Sequence, residues 1–151
     1  ADLKAAVFGT QYALPKMRKS GGGSILFTSS MVGLKPTPYS AEYSLTHIIA
    51  KSGLIMLVRA LTEVLAKDNI RVNCICPGPT STEHLTDTDS MSARELGISV
   101  DEFVRKSTQR IPLSRYMTMQ EIANVALFLC SDQASAITGV ALPVDGGFAA
   151  I

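Results

Sequence analysis

The chain has 151 residues, 46% of them hydrophobic and 18% charged, with 11 Gly and 7 Pro. That balance suits one globular unit and excludes disordered, collagen-like and coiled-coil classes. Fourteen Lys and Arg against thirteen Asp and Glu leave a formal charge of +1; with no long block of one sign, neither a nucleic-acid partner nor an anionic-membrane surface is implied.

No stretch is apolar enough for its length to cross a bilayer, and no basic segment leads into a hydrophobic signal core, so cytoplasm is the default expectation. Cys74, Cys76 and Cys130 are odd in number and sit inside apolar runs. They read as small core hydrophobes of a reducing compartment rather than a disulfide framework. The first residue is not Met and the chain opens directly into a helical pattern, so residue 1 is not expected to be the natural start.

Residues 2–18 are rich in helix formers and are stopped by Gly21-Gly22-Gly23, which predicts a first helix. Residues 24–29, Ser-Ile-Leu-Phe-Thr-Ser, suit a buried strand. Pro36 and Pro38 mark a loop. Leu54, Leu57, Val58, Leu61, Val64 and Leu65 then recur at three- and four-residue steps, predicting a long amphipathic helix over residues 40–67. Asp68-Asn69 turns the chain into a strand over residues 70–76, which ends at Pro77-Gly78-Pro79.

Residues 80–117 are polar and less regular. Capping boxes at Ser92 to Glu95 and Ser99 to Glu102 predict a loop carrying one or two helices. Thr118 and Glu121 form a third such box before a helix ending near Ser131. Residues 140–144 form a last short strand that Pro143 assigns to a sheet edge. Alternating helices and strands in this order predict an α/β fold, one half of a Rossmann-like doubly wound parallel sheet in three α/β/α layers. Ligands of such sheets sit beyond the carboxyl ends of the strands, which singles out residues 29–33 and 77–82.

Lys51 is the only formal charge between His47 and Val58, a run that otherwise favours burial. It is either a lysine whose stem covers apolar surface while its amine reaches water, or an ammonium placed to lower a neighbour's pKa and bind a polar ligand.

Six groups of residues follow one another along the chain: Gly22-Gly23-Ser24-Ile25, Ser29-Ser30-Met31-Val32-Gly33, Ala50-Lys51-Ser52-Gly53-Leu54, Ile70-Arg71-Val72-Asn73 through Pro77-Gly78-Pro79, Ile137-Thr138-Gly139 and Val144-Asp145-Gly146-Gly147. In this order the chain resembles the short-chain dehydrogenase/reductases over nearly its whole length, and specifically the C-terminal, catalytic half of their domain. The resemblance implies an NAD(P)-dependent oxidoreductase that moves a hydride between nicotinamide and a carbonyl/alcohol pair or a conjugated double bond. It makes Ser30 the carbonyl-orienting hydroxyl; without it, Ser30 would read as a turn serine. It makes Lys51 the partner of the nicotinamide ribose and the charge that stabilises a deprotonated acid/base group.

The acid/base itself departs from the family pattern. The family places a tyrosine four residues before the lysine, one helical turn away, where the ammonium lowers a phenol pKa from its usual value of about 10. Here that position is His47. Tyr43 lies at the usual interval from Ser30 but eight residues before Lys51, roughly 12 Å along a helix. Four residues are inserted between Ser30 and Lys51. If they fall in the loop at residues 36–39, His47 faces the site; if the helix start is displaced, Tyr43 reaches back to Ser30. A third reading is a site that has lost its acid.

By the same resemblance Pro77, Gly78, Thr80 and Thr82 border the nicotinamide, although the proline and glycine are also what any strand-ending turn would contain. Residues 83–110 form a substrate loop in which Met91, Leu96, Phe103 and Val104 line a pocket or face the core, and the substrate is expected to be a small, moderately apolar molecule. Asp2 stands where the family usually has an asparagine and is assigned no role. No metal site is expected.

A glycine-rich turn between a first strand and a helix, the phosphate cradle of dinucleotide folds, does not occur. The chain therefore reads as a single partial domain, inactive alone, able to hold the nicotinamide end of NAD or NADP but not the adenosine end, with a first strand left at an open edge. The family packs the first helix and the lysine-bearing helix across a subunit interface, which implies a homo-oligomer, a dimer or a tetramer. The reading from another class is a noncatalytic binding or oligomerisation module.

Overall fold

The computed structural model describes residues 2–37 and 45–150. The elements are α1 (Asp2–Lys19), β1 (Gly23–Thr28), α2 (Met31–Leu34), α3 (Leu45–Ala66), β2 (Ile70–Pro77), α4 (Glu83–Leu96), α5 (Val100–Thr108), α6 (Met119–Cys130) and β3 (Ala141–Val144). Short 3-10 turns at Asp132–Ala134 and Phe148–Ala150 complete the described chain.

The three strands form one parallel sheet in the order β1-β2-β3, with Gly23 opposite Ile70 and Cys74 opposite Ala141. β3, with Pro143, is an edge strand as expected, and among the described residues the far edge of β1 carries no strand. The pleat of β2 sends alternate side chains to opposite faces. Val72, Cys74 and Cys76 pack with Ile55, Val58 and Leu65 of α3 and with Leu14 and Met17 of α1. Ile75 faces the other way and packs with Leu129 of α6 and Ala134. The result is the expected three-layer α/β/α arrangement.

Several landmarks of the sequence staple β2 to the C-terminal segment. Asn73 is fully buried; its Nδ2 donates to the Ile137 carbonyl at 2.8 Å and its Oδ1 accepts from the Val140 amide at 3.1 Å. The Thr138 hydroxyl accepts the Val72 amide at 3.0 Å, and the Gly139 amide donates to the Val72 carbonyl at 2.7 Å. The Arg71 guanidinium donates to the carbonyls of Leu129 and Ser131 at 2.7 and 3.0 Å, satisfying acceptors that the end of α6 leaves open.

Four expectations are corrected. α4 begins at Glu83, capped by Thr82, whose hydroxyl accepts the Leu85 amide at 3.2 Å, and it runs straight through Ser92. Ser92 is therefore buried in mid-helix and caps nothing, whereas Thr118 and Glu121 form the expected box before α6 and Ser99 caps α5 without the return bond from Glu102, whose carboxylate pairs with Lys106. Val64 is half exposed and lies outside the apolar stripe of α3. Cys130, at the solvent side of α6, is exposed, unlike Cys74 and Cys76. Met91 and Leu96 project into solvent, while Phe103 and Val104 are half-buried. The predicted loop at Pro38 and the start of the long helix at residue 40 lie outside the described residues.

Candidate active site

Where β1 ends, Ser29 and Ser30 lead into α2. Ser30 has an extended backbone, φ −160° and ψ 157°, and as the cap of α2 its Oγ accepts the Val32 amide at 3.4 Å. That geometry consumes a lone pair and leaves the Ser30 O–H available to donate. The turn is locked to α3 from both sides. Ser29 Oγ donates to the Lys51 carbonyl at 2.8 Å, and Ser52 Oγ donates to the Gly33 carbonyl at 3.2 Å. Gly33 is needed for this approach, since a Cβ there would stand 2.9 Å from the Lys51 carbonyl carbon.

The Lys51 side chain is 14% exposed, and its ammonium is held by two other elements. Nζ donates to the Thr28 carbonyl at the end of β1 at 3.0 Å and pairs with the Asp2 carboxylate at 2.9 Å. A lysine reaching only for water would show neither contact. Three ammonium donors minus these two partners leave one N–H for a ligand.

Asp2 is the residue that sequence reasoning passed over. The signal was a carboxylate at the family's asparagine position, but its importance depends on α1 crossing α3 at Gly53, where an added Cβ would lie 2.8 Å from the Leu3 side chain. Hydrogen bonding to Lys51, and then its charge, hold the Asp2 carboxyl below the usual carboxylate range. The exposed His47 lies one turn before Lys51 on α3, and its charge also acts on Asp2. Tyr43 lies outside the described residues.

Beyond β2 the loop through Pro77, Gly78 and Thr80 is fixed from two directions. Gly78 donates to the Val144 carbonyl at 3.1 Å and passes so close to Asp145 that a Cβ would stand 2.8 Å from its Cα. The Thr80 hydroxyl folds back onto the Gly78 carbonyl at 2.9 Å. Thr80 also forms a parallel bridge with Met117: the Met117 amide donates to Pro79 at 2.9 Å and the Ser81 amide to Met117 at 2.8 Å. Thr82 spends an oxygen lone pair on the α4 cap and keeps its O–H. α4 and α5 follow as a helical hairpin, with Asp89 only 6% exposed and its carboxyl raised by burial while the Tyr116 hydroxyl opposes that shift. Burial, then the nearby Asp89 charge, pushes the Tyr116 phenol up to about 12.

An α/β protein with its polar groups gathered at the carboxyl ends of parallel strands is the class this architecture defines. Residues 1–149 match a family model described as enoyl-(acyl carrier protein) reductase, and the chain belongs to the short-chain dehydrogenase/reductase family. An oxidoreductase of Bacillus subtilis named YvrD is 38% identical over 150 residues, which cover 97% of this chain and 56% of that protein. The 3-oxoacyl-[acyl-carrier-protein] reductase FabG of Thermotoga maritima is 36% identical over 146 residues, 97% of this chain and 53% of that protein. The crystal structure of L-sorbose reductase from Gluconobacter frateurii, complexed with NADPH and L-sorbose, superimposes with a TM-score of 0.88 at 32% identity, over 97% of this chain and 55% of that one. The chain thus spans about half the length of the relatives it matches.

Proposed function

We propose that this chain is the catalytic portion of an NAD(P)-dependent oxidoreductase acting on a carbonyl/alcohol pair or a conjugated double bond. The observation that carries this reading is the Lys51 ammonium, anchored beside the Ser30 turn through Thr28 with one donor unspent. Family membership and the NADPH held by the sorbose reductase support the choice of cofactor. NAD and NADP both stand, because the residues that discriminate them contact the adenosine ribose.

The donors present fit the nicotinamide end. The free Lys51 N–H would hold a ribose hydroxyl, and the Thr82 O–H, beside backbone at Pro77, Gly78 and Thr80, would meet the nicotinamide side. When bound, nicotinamide supplies or accepts the hydride. The chain's own part is to donate the Ser30 O–H to the substrate oxygen, which stabilises the negative charge that develops there. Tyr43 or His47 exchanges the proton with that oxygen. Residues 83–110 close over a small, moderately apolar substrate.

The open edge of β1 and a cavity of about 560 Å³ along Tyr12, Lys16 and Met17 of α1 fit the docking of a nucleotide-binding half. Phe8, Ile49 and Met56, exposed on α1 and α3, favour a homo-oligomer joined through those helices. The same exposed faces, with the Asp2 carboxylate offsetting the Lys51 charge, favour a second reading, a noncatalytic binding or oligomerisation module.

Titration with reduced nicotinamide mononucleotide, which lacks the adenosine end, separates the two. The catalytic reading expects saturable binding that Lys51→Ala weakens at least tenfold, and hydride transfer once the nucleotide-binding half is supplied. Absence of both leaves the module.

A further inference from the structure

Residues 80–117 leave β2, run out through α4 and α5, and return to where they began, and the return is fastened twice. At the first junction Thr80 bridges Met117, the Met117 amide donating to Pro79 at 2.9 Å and the Ser81 amide to Met117 at 2.8 Å. The second junction is one residue away. There the Tyr116 hydroxyl meets the Asp89 carboxyl of α4 and the Ser107 hydroxyl of α5. Thr82, the cap of α4, lies along the chain between the two fastenings. The segment that carries both is itself held: Met117 is buried with Ile111 and Phe148, and Tyr116 and Met31 pack against them.

The hairpin brings few buried residues of its own. Those of α4 are Asp89, Ser92 and Ala93, and α5 has none. Residues 86–90, Thr-Asp-Thr-Asp-Ser, are poor helix formers. The hydroxyls of Thr86, Thr88 and Ser90 donate to carbonyls four positions earlier at 3.2, 2.9 and 2.8 Å, a pattern that slightly weakens a helix. Asp89 is nevertheless only 6% exposed. Burying a carboxyl is costly unless it gains a hydrogen bond, and the Tyr116 hydroxyl supplies one. The charged groups of the surrounding elements are exposed: Glu83, His84, Asp87, Arg94 and Glu95 on α4, Asp101, Arg105 and Lys106 on α5, and Arg110 and Arg115 beyond it. Glu102 pairs with Lys106, and Arg115 with Glu121.

We propose that the contact between Asp89 and Tyr116 is a clasp that holds the α4–α5 hairpin shut and so positions Thr82. Both are positioning residues, since neither is assigned a contact with cofactor or substrate. Their value to the reaction rests on the reading of Thr82 as a nicotinamide contact; the clasp does not. Burial holds the Asp89 carboxyl above the ordinary carboxylate range, so the closed hairpin keeps the proton more tightly than an open one. Closure is complete below the ordinary value and weakens as pH rises through the raised one.

Amide hydrogen exchange on the 151-residue chain, corrected for the intrinsic effect of pH, tests the clasp. From about pH 4 to about pH 7, which spans the titration of a raised carboxyl, opening at residues 86–96 and 103–108 should increase about threefold or more. Residues 71–76 of β2 should not follow. Asp89→Asn should flatten the profile, and Tyr116→Phe should increase opening at the upper end of the range. A slope that survives Asp89→Asn overturns the clasp, as does opening of residues 71–76 in step with the hairpin, which reports global unfolding. Binding of nicotinamide riboside, which has no titrating phosphate, then tests Thr82. It should weaken over the same pH interval in the parent and not in Asp89→Asn. Binding that ignores the opening overturns the positioning of Thr82. Opening as described without any binding upholds the clasp and overturns the cofactor reading instead.

Discussion

Lys51 holds the Asp2 carboxylate at 2.9 Å while the same ammonium donates to the Thr28 carbonyl at 3.0 Å, so one side chain ties the start of α1 to the end of β1. Lys51→Ala therefore removes more than a charge. It also frees the N-terminal turn of α1 from the sheet.

Asp2→Asn tests the pairing alone. The amide can still accept a hydrogen bond from the ammonium, but it no longer offsets its charge. The affinity of Lys51 for an anionic or hydroxyl ligand should rise in the variant, most clearly at low salt. In the unsubstituted chain the Asp2 carboxyl lies below its ordinary value because of Lys51. The pair should therefore be fully formed above the usual carboxylate range and be lost as pH falls through the depressed value. Titration of the Asp2 carboxyl carbon signal checks this; a titration at the ordinary carboxylate value would contradict it.

Gly33→Ala should destabilise the chain even though alanine is the better helix former by about 1 kcal/mol. The new methyl would stand 2.9 Å from the Lys51 carbonyl carbon and 3.1 Å from its oxygen, and overpacking against backbone costs about 1–3 kcal/mol. Chemical denaturation should show a lower midpoint. The amides of Gly33 and Lys35, which donate to the Ser30 and Met31 carbonyls in α2, should then lose protection from exchange.

Asn73→Ala should cost roughly 2–4 kcal/mol, because it leaves the buried Ile137 carbonyl and Val140 amide without their partner. Thr138→Val removes one acceptor from the Val72 amide and should cost about 1 kcal/mol. The double variant measures whether the two staples between β2 and the C-terminal segment act together.

Asp89→Asn should stabilise the chain at neutral pH. Burial raises the Asp89 carboxyl, so the folded state holds its proton more tightly than the unfolded one and stability falls as pH rises through the interval between the two values. Asparagine keeps a partner for the Tyr116 hydroxyl without a buried charge. Urea midpoints compared across that interval should show a slope for the parent and a flatter profile for the variant.

Much of this architecture was legible in the residues. The strand at residues 70–76, the glycine stop after α1, the Thr118–Glu121 capping box and the edge placement of Pro143 are local patterns, and the fold reproduces each. The failures are equally local in origin. Ser92 and Glu95 have the spacing of a capping box but lie inside a helix already begun at Glu83, because a cap signal acts only where the backbone leaves the helix. Cys130 sits in an apolar run, yet its direction on α6 turns it to solvent.

By itself the sequence determined the order of elements, the sheet class and the residues that follow its strands, since propensity, periodicity and turn chemistry depend on neighbours along the chain. Only the tertiary structure decided what meets Lys51. The contact of Asp2 with Lys51 spans 49 positions and exists because Gly53 lets Leu3 and α1 approach α3. The meeting of Asp89, Ser107 and Tyr116 likewise joins three separate segments. Such contacts are set by the packing of layers, which no local pattern encodes.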